Sequence, residues 1–305
     1  MAGLTAARIL QEHGVHVTLL EKSRGVGGRM ATRRVAESRF DHGTQFFTVR
    51  DQRFGAAVAQ WQDAGFVVPW FTQDGHARYR GAEGMKGIAK RLACGLDVRL
   101  ETSVEQIHAE GCGWRVATAA GSELHADALI LTAPAPQSMA LCQTFLDQLS
   151  MEIPLILESI AFDPCIAVMA VLQEGGSRLP EAGFVRPPAG PVAWIADNTQ
   201  KGVSAGPPAL TIHADAEFSR MHWDADSGLV VKMLMESARP YWDGNVVETS
   251  VQRWRYSQPI ATHTEPCLYT RRPAPLAFAG DAFGGPRVEG AFLSGVAAAN
   301  IVVDG

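Results

Sequence analysis

The 305-residue chain is poor in cysteine. Cys94, Cys112, Cys142, Cys165 and Cys267 are widely scattered, and none forms a C-x-x-C pair. That argues against a disulfide framework or a thiolate-held metal, so reduced, buried thiols are expected, with no metal. Long apolar runs are missing too: none approaches the roughly 20 residues of a membrane span. The first residues read as a helix with a polar face, not as a charged region followed by an apolar run. No leader is therefore expected, and the cytoplasm is the expected compartment. Positive charge is not in excess, since 27 Lys+Arg stand against 32 Asp+Glu, a net charge of -5. Basic residues gather only in dipeptides such as Arg33-Arg34 and Arg271-Arg272. A nucleic-acid partner would need a basic face; neither nucleic acid nor membrane is expected. Ser-His-Asp and paired-carboxylate patterns are absent as well. What remains is ordinary soluble globular composition, 47% hydrophobic and 19% charged, long enough for one or two domains.

The N-terminus lacks half of a motif. Gly3 opens a small-residue helix with Leu4, Ala6, Ala7 and Leu10 at its apolar positions and Gly14 at its end. Val15 to Leu20 then reads as a strand closed by Glu21. Helix, strand and terminal acid form the second half of a dinucleotide-binding βαβ unit. Gly3 fits the last glycine of G-x-G-x-x-G, which permits close helix–strand packing. Glu21 fits the acid that accepts a hydrogen bond from a ribose hydroxyl. The first strand and first two glycines are not in the chain. The expectation is a parallel sheet interrupted at that strand, with Gly3 exposed at the edge of a gap.

Lys22 to Met30 follows as a glycine-rich loop. Gly27 and Gly28 would let backbone N–H groups approach a pyrophosphate, with Arg24 or Arg29 neutralising it. A helix is expected from about Gln52 to Ala64 on the spacing of Phe54, Val58 and Trp61. Short strands are expected over 67–71 and 77–80, a helix over 84–93, and strands near 98–100, 104–107 and 114–118. Ala126 to Ala133 is apolar on both faces, as a buried parallel strand should be. From Pro134 to about Pro266 apolar alternation and dense Pro and Gly suggest a mostly antiparallel sheet, a second domain. Asp197, Asn198 and His213 lie in it and read as turn or surface residues.

Leu276 to Asp281 returns to a buried strand ending in an acid, followed by a glycine-rich turn into a small-residue helix near Glu289 and Gly290. Gly280-Asp281 can meet a sugar or ribityl hydroxyl. The helix start offers free N–H groups and partial positive charge, which suits the pyrimidine edge of a flavin that gains negative charge on reduction. Two nucleotide-contacting strand ends far apart in sequence point to one long cofactor, FAD.

These blocks carry a resemblance. Residues 2–7, Leu20 through Arg33, Phe40-Asp41-His42-Gly43-Thr44-Gln45-Phe46-Phe47, Gly84-Met85, Arg253 to Tyr256 and Gly280 through Gly295 are similar to the flavin-containing amine oxidase superfamily. Within it they look closest to bacterial renalase-like FAD-dependent oxidoreductases. The resemblance implies that Glu21 holds the adenosine ribose, that Arg29 lies near the pyrophosphate and Asp281 near the ribityl chain, and that Gly290 and Ala291 start the helix under the pyrimidine edge. It implies contact of the Val104 backbone with adenine, and it places Gly43, Thr44, Gln45 and Phe46 beside the isoalloxazine. His42 is either an acid/base or a residue orienting Asp41 and its loop. The orienting role is preferred, because flavin hydride transfer needs no strong base. Trp194, Trp223, Trp254 and Tyr256 are candidates for an aromatic wall over the flavin.

The expected fold is therefore α/β. A discontinuous Rossmann-like FAD domain (1–50, 83–133 and 265–305) carries an inserted mixed or antiparallel-sheet substrate domain (51–82 and 134–264). The expected reaction passes hydride from a small-molecule substrate to non-covalent FAD and electrons onward to dioxygen, giving hydrogen peroxide. The renalase resemblance implies dihydro-NAD(P) isomers as substrates. The alternatives are an amine substrate, an NAD(P)-dependent dehydrogenase, or a truncated, non-catalytic flavin-binding fragment.

Overall fold

The first helix, Ala2–Glu12, buries Leu4, Ala6, Ala7 and Leu10. The last helix, Val288–Asp304, lies along it. Small residues make this close approach possible: a Cβ on Gly295 would run into the Ala2 backbone. The computed structural model describes residues 1–173 and 175–304.

Next to this helix pair are two parallel strand pairs. Thr18–Leu20 pairs with Asp97–Arg99. Leu129–Leu131 pairs with Leu276–Phe278, which also takes Leu268–Thr270 as an antiparallel neighbour. Among the described residues neither Thr18–Leu20 nor Leu129–Leu131 has a second partner strand. Gly3 stands between them. A Cβ there would lie 3.1 Å from Thr132 Oγ1 and 3.9 Å from Leu19 Cδ2. The interruption of the sheet thus falls where the motif predicts it, but Gly3 is half-buried rather than exposed.

Two strands are shorter than the sequence suggests. Val15–Val17 runs outside the sheet, because pairing with Asp97–Arg99 begins only at Thr18. The apolar run at 126–133 is split. Glu123–Ala126 belongs to an antiparallel sheet with Val104–Glu110 and Gly113–Thr118. Only Leu129–Leu131 joins the parallel layer.

The middle of the chain forms a five-stranded antiparallel sheet. Its order is Phe184–Val185, Val192–Asp197, Ala209–Ala214, Ala161–Gln173 and Asn245–Ala261. Successive residues of Ala161–Gln173 point to opposite faces, and both faces are covered. Ile166, Val168, Ala170 and Leu172 meet Val230 and Leu234 of the helix Ser227–Ser237. Met169 and Val171 meet Val35 and Phe40, which belong to the hairpin Thr32–Val35/Ser38–Asp41. That second contact presses the end of the hairpin, and with it residues 41–46, against the sheet. A second hairpin, Val67–Gln73/His76–Gly81, turns at Asp74-Gly75, both at positive φ, as a tight two-residue turn requires.

Candidate functional site

Arg29 and Asp281 come from segments 252 residues apart and meet in a two-pronged ion pair, with Nη1–Oδ2 at 2.8 Å and Nη2–Oδ1 at 2.5 Å. Arg29 also donates to the Ser257 carbonyl at 3.0 Å. Glu21 follows the strand Thr18–Leu20, which contacts the first helix. The Glu21 carboxylate accepts the Ser23 N–H at 2.8 Å. Lys22, Arg24 and Gly28 are exposed on the loop between them. Met30 instead is buried among Phe47, Phe54 and Met85. Val104 is half-buried at the start of its strand.

The start of the last helix is tied down from outside. Glu289 accepts the backbone N–H groups of Arg50 and Asp51, both at 2.7 Å, so its carboxylate braces a loop. Gly290 fits against the Gly285 carbonyl with no room for a Cβ. The Ala291 N–H already reaches the Arg287 carbonyl at 2.9 Å. The Gly280 N–H is held by Ser294 Oγ at 2.8 Å, which fixes the strand end carrying Asp281.

The segment 41–46 is hydrogen-bonded from several elements at once. Asp41 Oδ1 accepts Thr32 Oγ1 at 2.6 Å and the Met85 N–H at 2.8 Å, while Oδ2 pairs with Lys201 Nζ at 2.9 Å. The Asp41 N–H donates to Asn198 Oδ1 at 3.0 Å, and its carbonyl accepts Thr211 Oγ1 and Gln45 Nε2. The His42 carbonyl accepts Trp254 Nε1 at 2.9 Å and pairs with His213 Nε2 at 3.2 Å. The His42 ring stacks on Trp254 at 5.3 Å. Gly43 packs against the Arg29 carbonyl, and the Thr44 N–H donates to that same oxygen at 2.8 Å. The loop is thus joined directly to the residue that pairs with Asp281.

Burial sets the charges here. It lowers His42 and His213 to about 4 each, with Arg33 and Lys201 respectively adding to it, so both rings are neutral near pH 7. Burial also lowers Lys201, against the pull of Asp41. His42 Nδ1 has no partner among the described residues. The neutral His42 ring stacks on Trp254 and is a poor proton donor near pH 7.

Phe46 leads from this network into a cluster of five rings. Phe46, Trp70, Phe71, Phe184 and Trp194 have neighbouring centroids between 4.3 and 6.3 Å apart. Lys201 Nζ lies 4.6 Å from the Trp70 centroid. Trp194 belongs to this cluster, but the other expected wall residues do not. Tyr256 packs on Phe162, whose ring Arg29 overlies. Trp254 sits on His42. Trp223 packs against the far core under Arg255.

Several of these residues escaped the sequence reading. Asn198 and His213, taken as turn or surface residues, both bond the 41–42 backbone. Asp197 does turn the chain, its Oδ1 accepting the Thr199 N–H at 2.8 Å. That turn places Lys201. Lys201, Trp70, Phe71 and Phe184 carry no local signal of their own.

Comparison with known proteins gives the family and the fold. Residues 1–69 match an NAD(P)-binding Rossmann-like domain. Residues 62–303 match the flavin containing amine oxidoreductase family. The chain belongs to the flavin-containing amine oxidoreductase family. Renalase from Mus musculus is 25% identical over 195 residues, 61% of this chain and 57% of that protein. The match therefore spans little more than half of that relative. A redesigned putrescine oxidase superposes with a TM-score of 0.73 at 14% identity, covering 100% of this chain and 97% of the other. A putative protoporphyrinogen oxidase from Exiguobacterium sp. gives 0.68 at 14% identity, covering 99% and 95%. At such identities the likeness is one of fold.

The residues present fit the flavin of this family. Gly28, Gly280 and Gly285 all have positive φ, and a Cβ on any of them would meet nothing within 4 Å. Backbone beside both Arg29 and Asp281 is therefore open to close approach, as a pyrophosphate or sugar chain requires. No helix of the described residues is long and apolar enough to cross a membrane.

Proposed function

We propose that this protein is an FAD-dependent oxidoreductase of renalase type that oxidises dihydro-NAD(P) isomers to NAD(P)+ and reduces dioxygen to hydrogen peroxide. The observation that carries the reading is the ion pair of Arg29 with Asp281, which joins the loop after Glu21 to the strand end before the last helix. A flavin dinucleotide is long enough to need all three.

In this reading Glu21 holds the adenosine ribose and Arg29 balances the pyrophosphate, with Gly3, Lys22, Arg24 and Gly28 shaping that end and buried Met30 anchoring the loop to the core. Val104 lies toward the adenine. Gly280 and Asp281 meet the ribityl chain, and Glu289, Gly290 and Ala291 form the helix start at the pyrimidine edge. Bound non-covalently, FAD supplies the hydride-accepting centre and the passage of electrons to dioxygen. The chain's own residues do the positioning. His42 and Gln45 fix Gly43 and Thr44 alongside the ring system, while Phe46 and Trp194 border the substrate and keep water out. The discontinuous division into an FAD domain (1–50, 83–133, 265–305) and a substrate domain (51–82, 134–264) belongs to the same reading.

The test is spectroscopic. The protein, as purified or after reconstitution with FAD, is expected to show flavin absorbance. Anaerobic mixing with dihydro-NAD(P) isomers is expected to bleach it, and a panel of amines to leave it oxidised. A protein that takes up no FAD would overturn the reading. Bleaching by amines alone would replace the substrate assignment with amine oxidation.

A further inference from the structure

His213 lies on the face of the antiparallel sheet that looks toward residues 41–46. Ile212 and Ala214 on either side of it belong to the core on the far face, so Thr211 and His213 point the other way. Thr211 reaches the Asp41 carbonyl and His213 Nε2 the His42 carbonyl. A carbonyl oxygen can only accept, so the proton of the neutral His213 ring sits on Nε2. Nδ1 is then an unprotonated nitrogen with a lone pair. It makes no hydrogen bond among the described residues, yet it is not sealed off as His42 Nδ1 is.

Space is left around this nitrogen. Gly43, Thr44, Phe46, His213 and Trp254 each keep partial exposure, although they lie between the loop and the sheet. Thr211, Ile212 and Ala214, the chain neighbours of His213, are buried. Solvent therefore reaches the ring from the side of the loop. A ligand that takes the solvent's place must bring a donor of its own or lose the bond.

We infer that His213 is a substrate-positioning residue: its Nδ1 accepts an N–H or O–H of the bound molecule, in a tautomer locked by the His42 carbonyl. That carbonyl immediately precedes Gly43 and Thr44. The backbone that runs beside the flavin in the proposed reading thus also aims the acceptor. Selection is by hydrogen-bond donor rather than by charge, and a molecule of the right shape without a donor at that point is held less well. The inference rests on the functional reading above only in calling the bound molecule a substrate.

Benzamide and methyl benzoate are the probes, since their shapes are close and only the first carries N–H groups. Their binding to the flavin-loaded protein is measured by equilibrium dialysis for the wild type, His213→Leu and His213→Gln, with thermal melts to confirm folding. The ratio of benzamide to ester affinity is expected to fall about tenfold in H213L. H213Q, whose amide can donate to the His42 carbonyl and still accept, should recover part of it. A purely structural role would weaken both probes together and leave the ratio alone. The tautomer is read separately by 15N NMR of the histidine-labelled wild type. His213 should show a pyridine-type Nδ1 and a pyrrole-type Nε2, with Nδ1 shifting on addition of benzamide and not of the ester. An unchanged ratio in both variants, a wild type that binds neither probe, or a protonated Nδ1 overturns the proposal. So does a folded H213L protein that takes up no FAD while the wild type does, because His213 would then hold the cofactor. A wild type that takes up no flavin, yet prefers benzamide in a His213-dependent way, would defeat the flavin reading and leave this one standing.

Discussion

Lys201 Nζ and Asp41 Oδ2 lie 2.9 Å apart, and neither side chain reaches solvent. The pair joins a turn of the antiparallel sheet to the end of the hairpin that leads into Gly43–Phe46. Removing one partner strands the other charge in a medium that cannot solvate it, a loss of about 3–5 kcal/mol. Lys201→Met is therefore expected to lower unfolding free energy by that order in a denaturant titration. Asp41→Asn should cost a similar amount, because its carbonyl can keep the bonds from Thr32 and the Met85 N–H but an NH2 group then faces the buried Lys201 charge. A loss below about 1 kcal/mol for either would mean that the pair does not brace the loop.

Arg29 and Asp281 should behave in the opposite way. Their side chains retain 28% and 16% exposure, so solvent screening leaves the pair about 0–1 kcal/mol of stability. If Arg29 serves a pyrophosphate, Arg29→Gln will barely move the melting temperature of the flavin-free protein, yet it will weaken FAD binding about tenfold or more. Flavin fluorescence on titration with FAD reads the second effect and calorimetry the first. Equal effects on both would reduce the pair to a structural one.

Two glycines on the same loop system should respond differently to a methyl group. At Gly43 a Cβ collides with the Arg29 carbonyl, backbone that cannot swing away. Gly43→Ala must shift the loop and is expected to cost about 1–3 kcal/mol and to weaken FAD binding. At Gly28 a Cβ meets nothing, and the penalty is only that of φ +53, about 1 kcal/mol. Thermal melts of the two variants with and without FAD give the comparison. A Gly43→Ala protein that melts and binds flavin like the wild type would rule out a tight Arg29–Gly43 contact.

Much of the parallel layer was legible in the chain. Gly3, Glu21, Gly280 and Asp281 mark strand and helix ends where local chemistry is demanding, and such positions keep their signature in sequence. The substrate side was less legible. Lys201 sits in a polar turn beside Thr199 and Gln200, a context typical of surface, and its partner is 160 residues away. Its burial follows only from docking the hairpin on the sheet. Trp194, Trp254 and Tyr256 looked like one wall because all are large and aromatic. They diverge because strand register sends Trp194 toward Trp70, Trp254 toward His42 and Tyr256 toward Phe162.

The histidine pair gives the molecule a defined acid sensitivity. His42 and His213 are both held neutral, mainly by burial, with folded values near 4 against 6.5 when solvated. Above pH 6.5 both states carry neutral imidazoles and no difference arises. As pH falls from 6.5 toward 4 the unfolded chain takes up protons that the folded chain refuses, so stability declines through that window. The decline levels off below about 4, where the folded rings also charge. The displacement corresponds to a loss on the order of 3 kcal/mol per histidine. His213→Gln keeps a donor for the His42 carbonyl but cannot titrate. It is expected to melt near the wild-type temperature at pH 7.5 and to lose roughly half of the decline measured between pH 6.5 and 4. A variant with the full wild-type slope would show that His213 is charged in the folded protein, and its contact with the His42 carbonyl would then be that of an imidazolium.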